Sequence, residues 1–188
     1  MIELAKGQQL ALASEDGQPL TRLTVGLGWD KARTAGFIGT GAPDIDLDAS
    51  AVEFSGQQFF DFAFYNNLAT RDGSVVHQGD NLTGRGEGDD EVITVDLDRV
   101  HRQIDTIIFL VSSYQGHTLE WISNAYCRVV DDHDVEIARF TLTAGVPQTG
   151  LAMAKLFRDG EQWTLRAIGE GIAVKIPTDA VEALRPFV

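Results

Sequence analysis

At 188 residues with 44% hydrophobic content, the chain is long enough for one large domain with a packed core, and such a composition excludes disorder. Acidic residues outnumber basic ones, 28 to 15, for a formal charge of −13; a surface this negative repels nucleic acid and anionic lipid, whose phosphates call for Lys and Arg. Cys127 is the single cysteine, which rules out an intramolecular disulfide and a thiolate metal cluster.

In chain order, the first strand is predicted over residues 3–12. The apolar stretch there is too short for a signal peptide, and no later run reaches the about 18 apolar residues of a membrane span, so a cytoplasmic protein without a transmembrane segment is expected. Asp16-Gly17 marks a turn before a strand over 22–27. Phe60, Phe62 and Phe64 alternate with Asp61 and Ala63, which predicts a half-buried strand with the three rings on one face. Turns at Asn66-Asn67 and Asp72-Gly73 bracket the approach to a strand over 74–77. Ile93, Val95 and Leu97 alternate in the same way. One or two helical turns are expected over 98–104. Residues 107–111 are unbroken apolar, the pattern of a strand covered on both faces. Strands follow over 126–130, 138–142, 152–157 and 163–168, the last two joined at Asp159-Gly160 in a hairpin. Pro177 and Thr178 open a short helix to Leu184. Cys127 and the three tryptophans, Trp29, Trp121 and Trp163, are assigned to the core. About ten short strands and scarce helix predict an all-β fold, a β-sandwich of two mainly antiparallel sheets, as a single domain over 1–188.

Two acidic segments interrupt this pattern. In Asp44-Ile45-Asp46-Leu47-Asp48-Ala49-Ser50, an extended backbone puts Asp44, Asp46, Asp48 and Ser50 on one face and Ile45, Leu47 and Ala49 on the other. Neighbouring carboxylates are then about 6–7 Å apart and repel by roughly 0.6 kcal/mol in water, or roughly 2.5 kcal/mol at an effective dielectric near 20. Either a cation relieves that repulsion or the segment is a solvated edge strand, where aspartate discourages aggregation. The second segment, Gly79-Asp80-Asn81-Leu82-Thr83-Gly84-Arg85-Gly86-Glu87-Gly88-Asp89-Asp90-Glu91, offers five carboxylates, an amide and alternate glycines. Its alternatives are a mobile acidic hairpin loop or a site for calcium, which takes carboxylate, amide and carbonyl oxygens in a flexible shell; magnesium favours a rigid octahedron with retained waters. Neither segment is an EF-hand: Ala49 and Arg85 stand where that loop needs glycine, and no flanking helices are predicted. The scattered histidines exclude a zinc site of the usual spacing.

The stretches Val25-Gly26-Leu27-Gly28-Trp29-Asp30, Asp46-Leu47-Asp48-Ala49-Ser50-Ala51, Phe64-Tyr65-Asn66-Asn67-Leu68 and Gly73-Ser74-Val75-Val76-His77, with the whole 79–91 segment, closely resemble the TerD family, named for tellurite resistance. Phe157-Arg158 and Trp163 resemble its C-terminal hairpin, and the resemblance covers about residues 4–171. It implies a β-sandwich with calcium-binding loops at one end and a bacterial stress setting. Carried onto this chain, it implies metal ligands at Asp46, Asp48, Asp80, Asn81, Asp89, Asp90 and Glu91, with backbone oxygens from 83–88 and two calcium ions. Ile45 departs from the family's phenylalanine but keeps an apolar anchor, and 31–43 is less typical. The expected function is a non-catalytic, calcium-dependent binding or adaptor module acting with other stress-response proteins. The alternative is a metal-dependent enzyme or nucleotide-binding protein using the same acidic rim. No Gly-x-Ser-x-Gly or Walker loop supports the alternative, and His77 and His117 are read as ordinary strand and loop residues.

Overall fold

Alternation of apolar and polar side chains folds the chain as two sheets packed face to face. The computed structural model describes all residues except Glu15, 32–46, 80–87, Tyr114 and Lys175. The strands are β1 (Ile2–Leu4), β2 (Gln9–Ala11), β3 (Arg22–Lys31), β4 (Leu47–Ser55), β5 (Gln58–Ala63), β6 (Val75–His77), β7 (Glu91–Asp96), β8 (Thr106–Ser113), β9 (Ile122–Asp131), β10 (Glu136–Ala144), β11 (Gly150–Asp159) and β12 (Gln162–Ile172). Six make a first sheet in the order β1-β10-β9-β3-β7-β6, and six a second in the order β2-β12-β11-β8-β4-β5. Only β1 and β10 pair in parallel among the described residues. One α-helix, α1 (Ala180–Leu184), follows β12.

Leu23, Val25 and Leu27 of β3 and Ile93 and Val95 of β7 face Ala49, Ala51, Ile107, Phe109 and Val111 of the second sheet across the interior. The outer face of the second sheet is covered too. Val52, Phe54, Ile108 and Leu110 pack beneath Val174, Ala180 and Leu184. Strand β8 is therefore buried along its whole length, as its unbroken apolar run predicts. Cys127 is buried, and burial pushes its thiol up to about 12, so it behaves as a small apolar residue.

Several expectations are corrected. Residues 3–12 form two strands in different sheets, because the turn at Lys6-Gly7, with Gly7 at φ +82°, carries the chain from β1 to β2. Residues 98–104 make turns closed by Arg99 N–H to Asp96 O and Ile104 N–H to His101 O, at 3.1 and 2.9 Å, with no helix. Phe62 and Phe64 stack with ring centres 4.6 Å apart, but Phe60 does not share their face. Phe54 pairs with Phe59 and Glu53 with Asp61, which leaves Phe60 as the extra residue of a β-bulge. An extra residue reverses the side-chain parity, so Phe60 meets the inter-sheet core and Phe62 the outer cluster. Trp163 is in the core and Trp29 packs against it, but Trp121 is exposed.

Glu53 follows Ala49 and Ala51 on the inward face of β4 and is fully buried. Ser74 Oγ donates to its Oε1 at 3.2 Å, and Oε2 has no hydrogen-bond partner among the described residues. Burial and then the charge of Asp72 push its carboxyl up to about 8, against the opposing Ser74 hydrogen bond. Between about pH 4.5 and 8 the folded chain keeps a proton that the unfolded chain releases, so stability falls as pH rises through that window. Glu53→Gln removes this loss. Its advantage over the wild type in chemical denaturation is expected to open between about pH 5 and 8, reach on the order of 5 kcal/mol, and stay level above. A stability difference independent of pH would show that Glu53 is charged in the fold.

Candidate metal centre at one end of the sandwich

Strands β4 and β7 contact each other across the interior. The Glu53–Ser74 hydrogen bond ties the C-terminal end of β4 to the C-terminal end of β7, because the Ser74 carbonyl accepts from Asp96 N–H at 2.8 Å. The N-terminal ends of both strands, which carry Asp48 and Glu91, therefore lie at the same end of the sandwich. The two acidic segments predicted to cooperate enter the sheets at one rim.

Asp48 sits opposite Ser112 of β8 and is 7% exposed, and Ser50, two residues on, is 1% exposed. Leu47 and Ala49 point into the inter-sheet core, so the expected alternation holds over Leu47–Ser50, while Asp44, Ile45 and Asp46 lie outside the described residues. Leu47–Ser50 pair with β8 and are buried, so over these residues the strand is not solvated. Ser50 Oγ is buried without a hydrogen-bond partner among the described residues.

At the other strand, Glu91 is inward-facing opposite Leu27 and 3% exposed. Its Oε2 lies 3.0 Å from His77 Nε2, and His77 is itself buried. Gly79 N–H donates to His77 Nδ1 at 3.1 Å, and the approach of Nε2 to Glu91 is a close contact without hydrogen-bond geometry. His77 and Glu91 thus lie against each other on the two strands either side of 80–87. Asp90 donates its N–H to Leu27 O and accepts from Trp29 N–H on Oδ2, both at 2.8 Å. Burial raises the pKa of Asp90, and the charges of Glu91, Asp30 and Asp89 raise it further, against the hydrogen bond from Trp29. Asp30 accepts from Asn124 Nδ2 at 2.9 Å, and Asn124 adopts a left-handed φ of 50°.

Asp89 turns the other way. Strand alternation would put it on the face of Glu91, but β7 begins at Glu91, and before it the chain folds back over the outer face of the first sheet. There Arg128 Nε and Nη2 donate to Asp89 Oδ1 and Oδ2 at 2.7 and 2.9 Å, a two-pronged, charge-assisted pair. The Tyr126 hydroxyl lies 3.0 Å from Oδ1 and 2.8 Å from Gly88 O, with one proton to share. Arg128 also donates to Glu136, which Arg139 holds in turn. The alternating glycines of β3 make this possible. A Cβ on Gly26 would stand 2.1 Å from Asp89 Oδ2, and one on Gly28 would stand 2.4 Å from the Tyr126 ring.

Of the seven predicted ligands, then, Asp48, Asp90 and Glu91 reach one rim, Asp89 is held at its outer side by Arg128, and Asp46, Asp80 and Asn81 lie outside the described residues. No group of three His, Cys, Asp or Glu placed to hold a metal is found among the described residues. Sequence reasoning missed two residues of the rim. Asp30 closes the Val25–Asp30 stretch already singled out, and His77 ends another; their role needed the strand pairing to be seen.

The family model of the TerD domain matches residues 1–178. The chain belongs to the TerD family. It is 39% identical over 173 residues to tellurium resistance protein TerZ of Serratia marcescens, covering 90% of this chain and 89% of that one. It is also 39% identical over 185 residues to stress response protein SCP2 of Bacillus subtilis (strain 168), covering 90% and 92%. Among solved structures, a homologue of telluride resistance protein (TerD) from Streptomyces coelicolor A3(2) superposes with a TM-score of 0.65 at 23% identity, covering 86% of this chain and 95% of that one. No helix among the described residues is long and apolar enough to cross a membrane.

Removing one partner of a largely buried ion pair strands the other. Asp89→Ala in calcium-free buffer is therefore expected to lower the unfolding free energy by about 2 kcal/mol, and Gly26→Ala to do so comparably by displacing Asp89. Denaturant unfolding reads both, and wild-type stability in the two variants would remove the Arg128 clamp from the account.

Proposed function

We propose that the chain is a non-catalytic calcium-binding module of a cytoplasmic stress response, with the metal held at the rim where the two acidic segments enter the sheets. The observation that carries this reading is Asp90, a half-buried carboxylate crowded by the charges of Glu91, Asp30 and Asp89. Asp89 is itself paired with Arg128. The side-chain donors are almost entirely carboxylate oxygens, the chemistry that a hard divalent cation takes, and flexible oxygen-rich loops favour calcium over magnesium. Asp48, Asp90 and Glu91, with Asp46, Asp80 and Asn81, would hold up to two ions, and bound calcium supplies the positive charge that ends the repulsion. Asp89, gripped by Arg128, is assigned the role of fixing the strand entry and not of ligating.

Calcium would then cross-link residues 44–50 to 80–91 and present an ordered surface to other stress-response proteins, the chain acting as an adaptor. The stress setting is supported by relatives named for tellurium resistance and for the stress response.

In chelator-stripped protein, calcium at about 100 times Kd should add about 2.7 kcal/mol per site to the unfolding free energy. Asp90→Asn, which keeps the shape and the Trp29 hydrogen bond, should weaken calcium binding by about tenfold or more, as loss of a charged ligand does. Calorimetric titration with calcium and with magnesium measures both. A melt insensitive to calcium and chelator alike would end the proposal.

A further inference from the structure

The consecutive acids Asp89, Asp90 and Glu91 leave the chain in three directions. Glu91 points between the sheets opposite Leu27. Asp90 stays beside β3, through its N–H to Leu27 O and the Trp29 N–H to its Oδ2, both at 2.8 Å. Asp89 lies over Gly26 on the outer face of the first sheet. An extended backbone offers only two faces, so residue 89 has to be held out, and the residues that hold it come from β9.

Arg128, in register with Gly26, occupies both oxygens of Asp89 from Nε and Nη2 at 2.7 and 2.9 Å. Tyr126, in register with Gly28, brings its hydroxyl to 2.8 Å from Gly88 O, and Gly88 turns the chain there with φ +135°, which glycine adopts readily. Arg128 is braced in its turn. Its Nη1 donates to Glu136 Oε2 at 3.2 Å, and Arg139 donates to both oxygens of Glu136 at 2.7 and 2.9 Å. The Arg139 guanidinium also lies 4.5 Å from the centre of the Tyr126 ring. One brace therefore runs from β10 through β9 to the residue next to Asp90. Groups outside a metal's own ligands that orient those ligands typically change metal affinity by about 10–100-fold when removed.

We propose that Arg128 is the positioning residue of the rim: by holding Asp89 outward it fixes where Asp90 and Glu91 stand, and so sets how tightly the rim binds calcium. The inference rests on the calcium reading above and adds to it a residue that touches no metal. Removing Arg128 has two opposed effects. Loss of a positive charge makes the rim more negative and favours a cation, but Arg128 is partly exposed and the Debye length at physiological ionic strength is only about 8 Å. Loss of the grip leaves residues 88–90 to be ordered by the metal as it binds, which lowers affinity. The second effect dominates. By linkage, bound calcium strengthens the grip by the same factor.

Calcium is titrated by calorimetry into the chelator-stripped full chain at physiological ionic strength. Arg128→Gln should raise Kd by about tenfold or more. Arg128→Lys, which keeps the charge but loses the fork, should fall between that variant and the wild type, and Tyr126→Phe should also weaken binding. Arg22→Gln takes the same charge from the far end of β3, where Arg22 is paired with Asp96, and should bind calcium no more weakly than the wild type. Denaturant unfolding adds a readout that a merely structural brace would not move. The stability lost in Arg128→Gln should be larger in saturating calcium than in chelator, whereas a structural brace costs the same in both. Unchanged or tighter calcium binding in the Arg128 variants, a loss as large in Arg22→Gln, or equal stability losses with and without calcium would overturn the inference and leave the calcium reading intact. Should Arg128→Gln fail to fold, Arg128→Lys and Tyr126→Phe decide by the same measurements. A wild type that binds no calcium would end both.

Discussion

The two-residue repeat of a β-strand governs this molecule, because it forces each strand to commit one set of side chains to the interior and the other set outward. Strand β3 shows the consequence. Leu23, Val25 and Leu27 pack between the sheets, and the intervening positions 26 and 28 are glycines that leave room for Asp89 and Tyr126 to lie on the strand itself. Arg128, registered opposite Gly26, then reaches Asp89 with both prongs. A single-residue slip of β3 against β9 would send leucine outward and bury the clamp's space, so packing and electrostatics enforce the same register.

Much of this was legible in the sequence. The both-face burial of β8 follows from an unbroken apolar run, and the β11–β12 hairpin from Asp159-Gly160, where Asp159 pairs with Gln162 and Gly160 takes φ +67°. The parity of Leu47, Asp48, Ala49 and Ser50 was legible too. What failed was whatever depended on a partner strand. The bulge at Phe60 is a mismatch between β4 and β5 and leaves no mark within β5 itself. Residues 3–12 alternate acceptably for one long strand, and only the two partners, β10 and β12, reveal that they belong to opposite sheets. Asp89 was grouped with Asp90 and Glu91 because a run of acids carries no sign of direction. Its partner lies 39 residues on, and no local pattern announces that distance.

The candidate rim was thus half visible. Composition could say that oxygen donors crowd into two segments, and the strand ends could be inferred to meet. That Asp30 and His77 join them follows from β3 and β6 flanking β7, a fact of sheet order that spacing in the chain does not encode. The oxygen-rich chemistry of the rim came from residue types alone, whereas the division of labour between Asp89 and Asp90 required the fold.

A carboxyl group taken out of water can be tolerated in three ways: by keeping its proton, by meeting a fixed positive charge, or by binding a cation from solution. Glu53 takes the first course. It sits in a closed interior where one hydroxyl reaches it and burial favours the neutral acid. Asp89 takes the second through Arg128. Asp90 and Glu91 are placed differently from both, at the mouth of the sheets beside an acidic loop, with Asp30 adding to the charge around Asp90. Burial and the charges of Glu91, Asp30 and Asp89 all raise the pKa of Asp90. Arg128 is already committed on the outer face. On the proposed reading the rim takes the third course, at the end where β4 and β7 begin, and Glu53 takes the first nearer the other end.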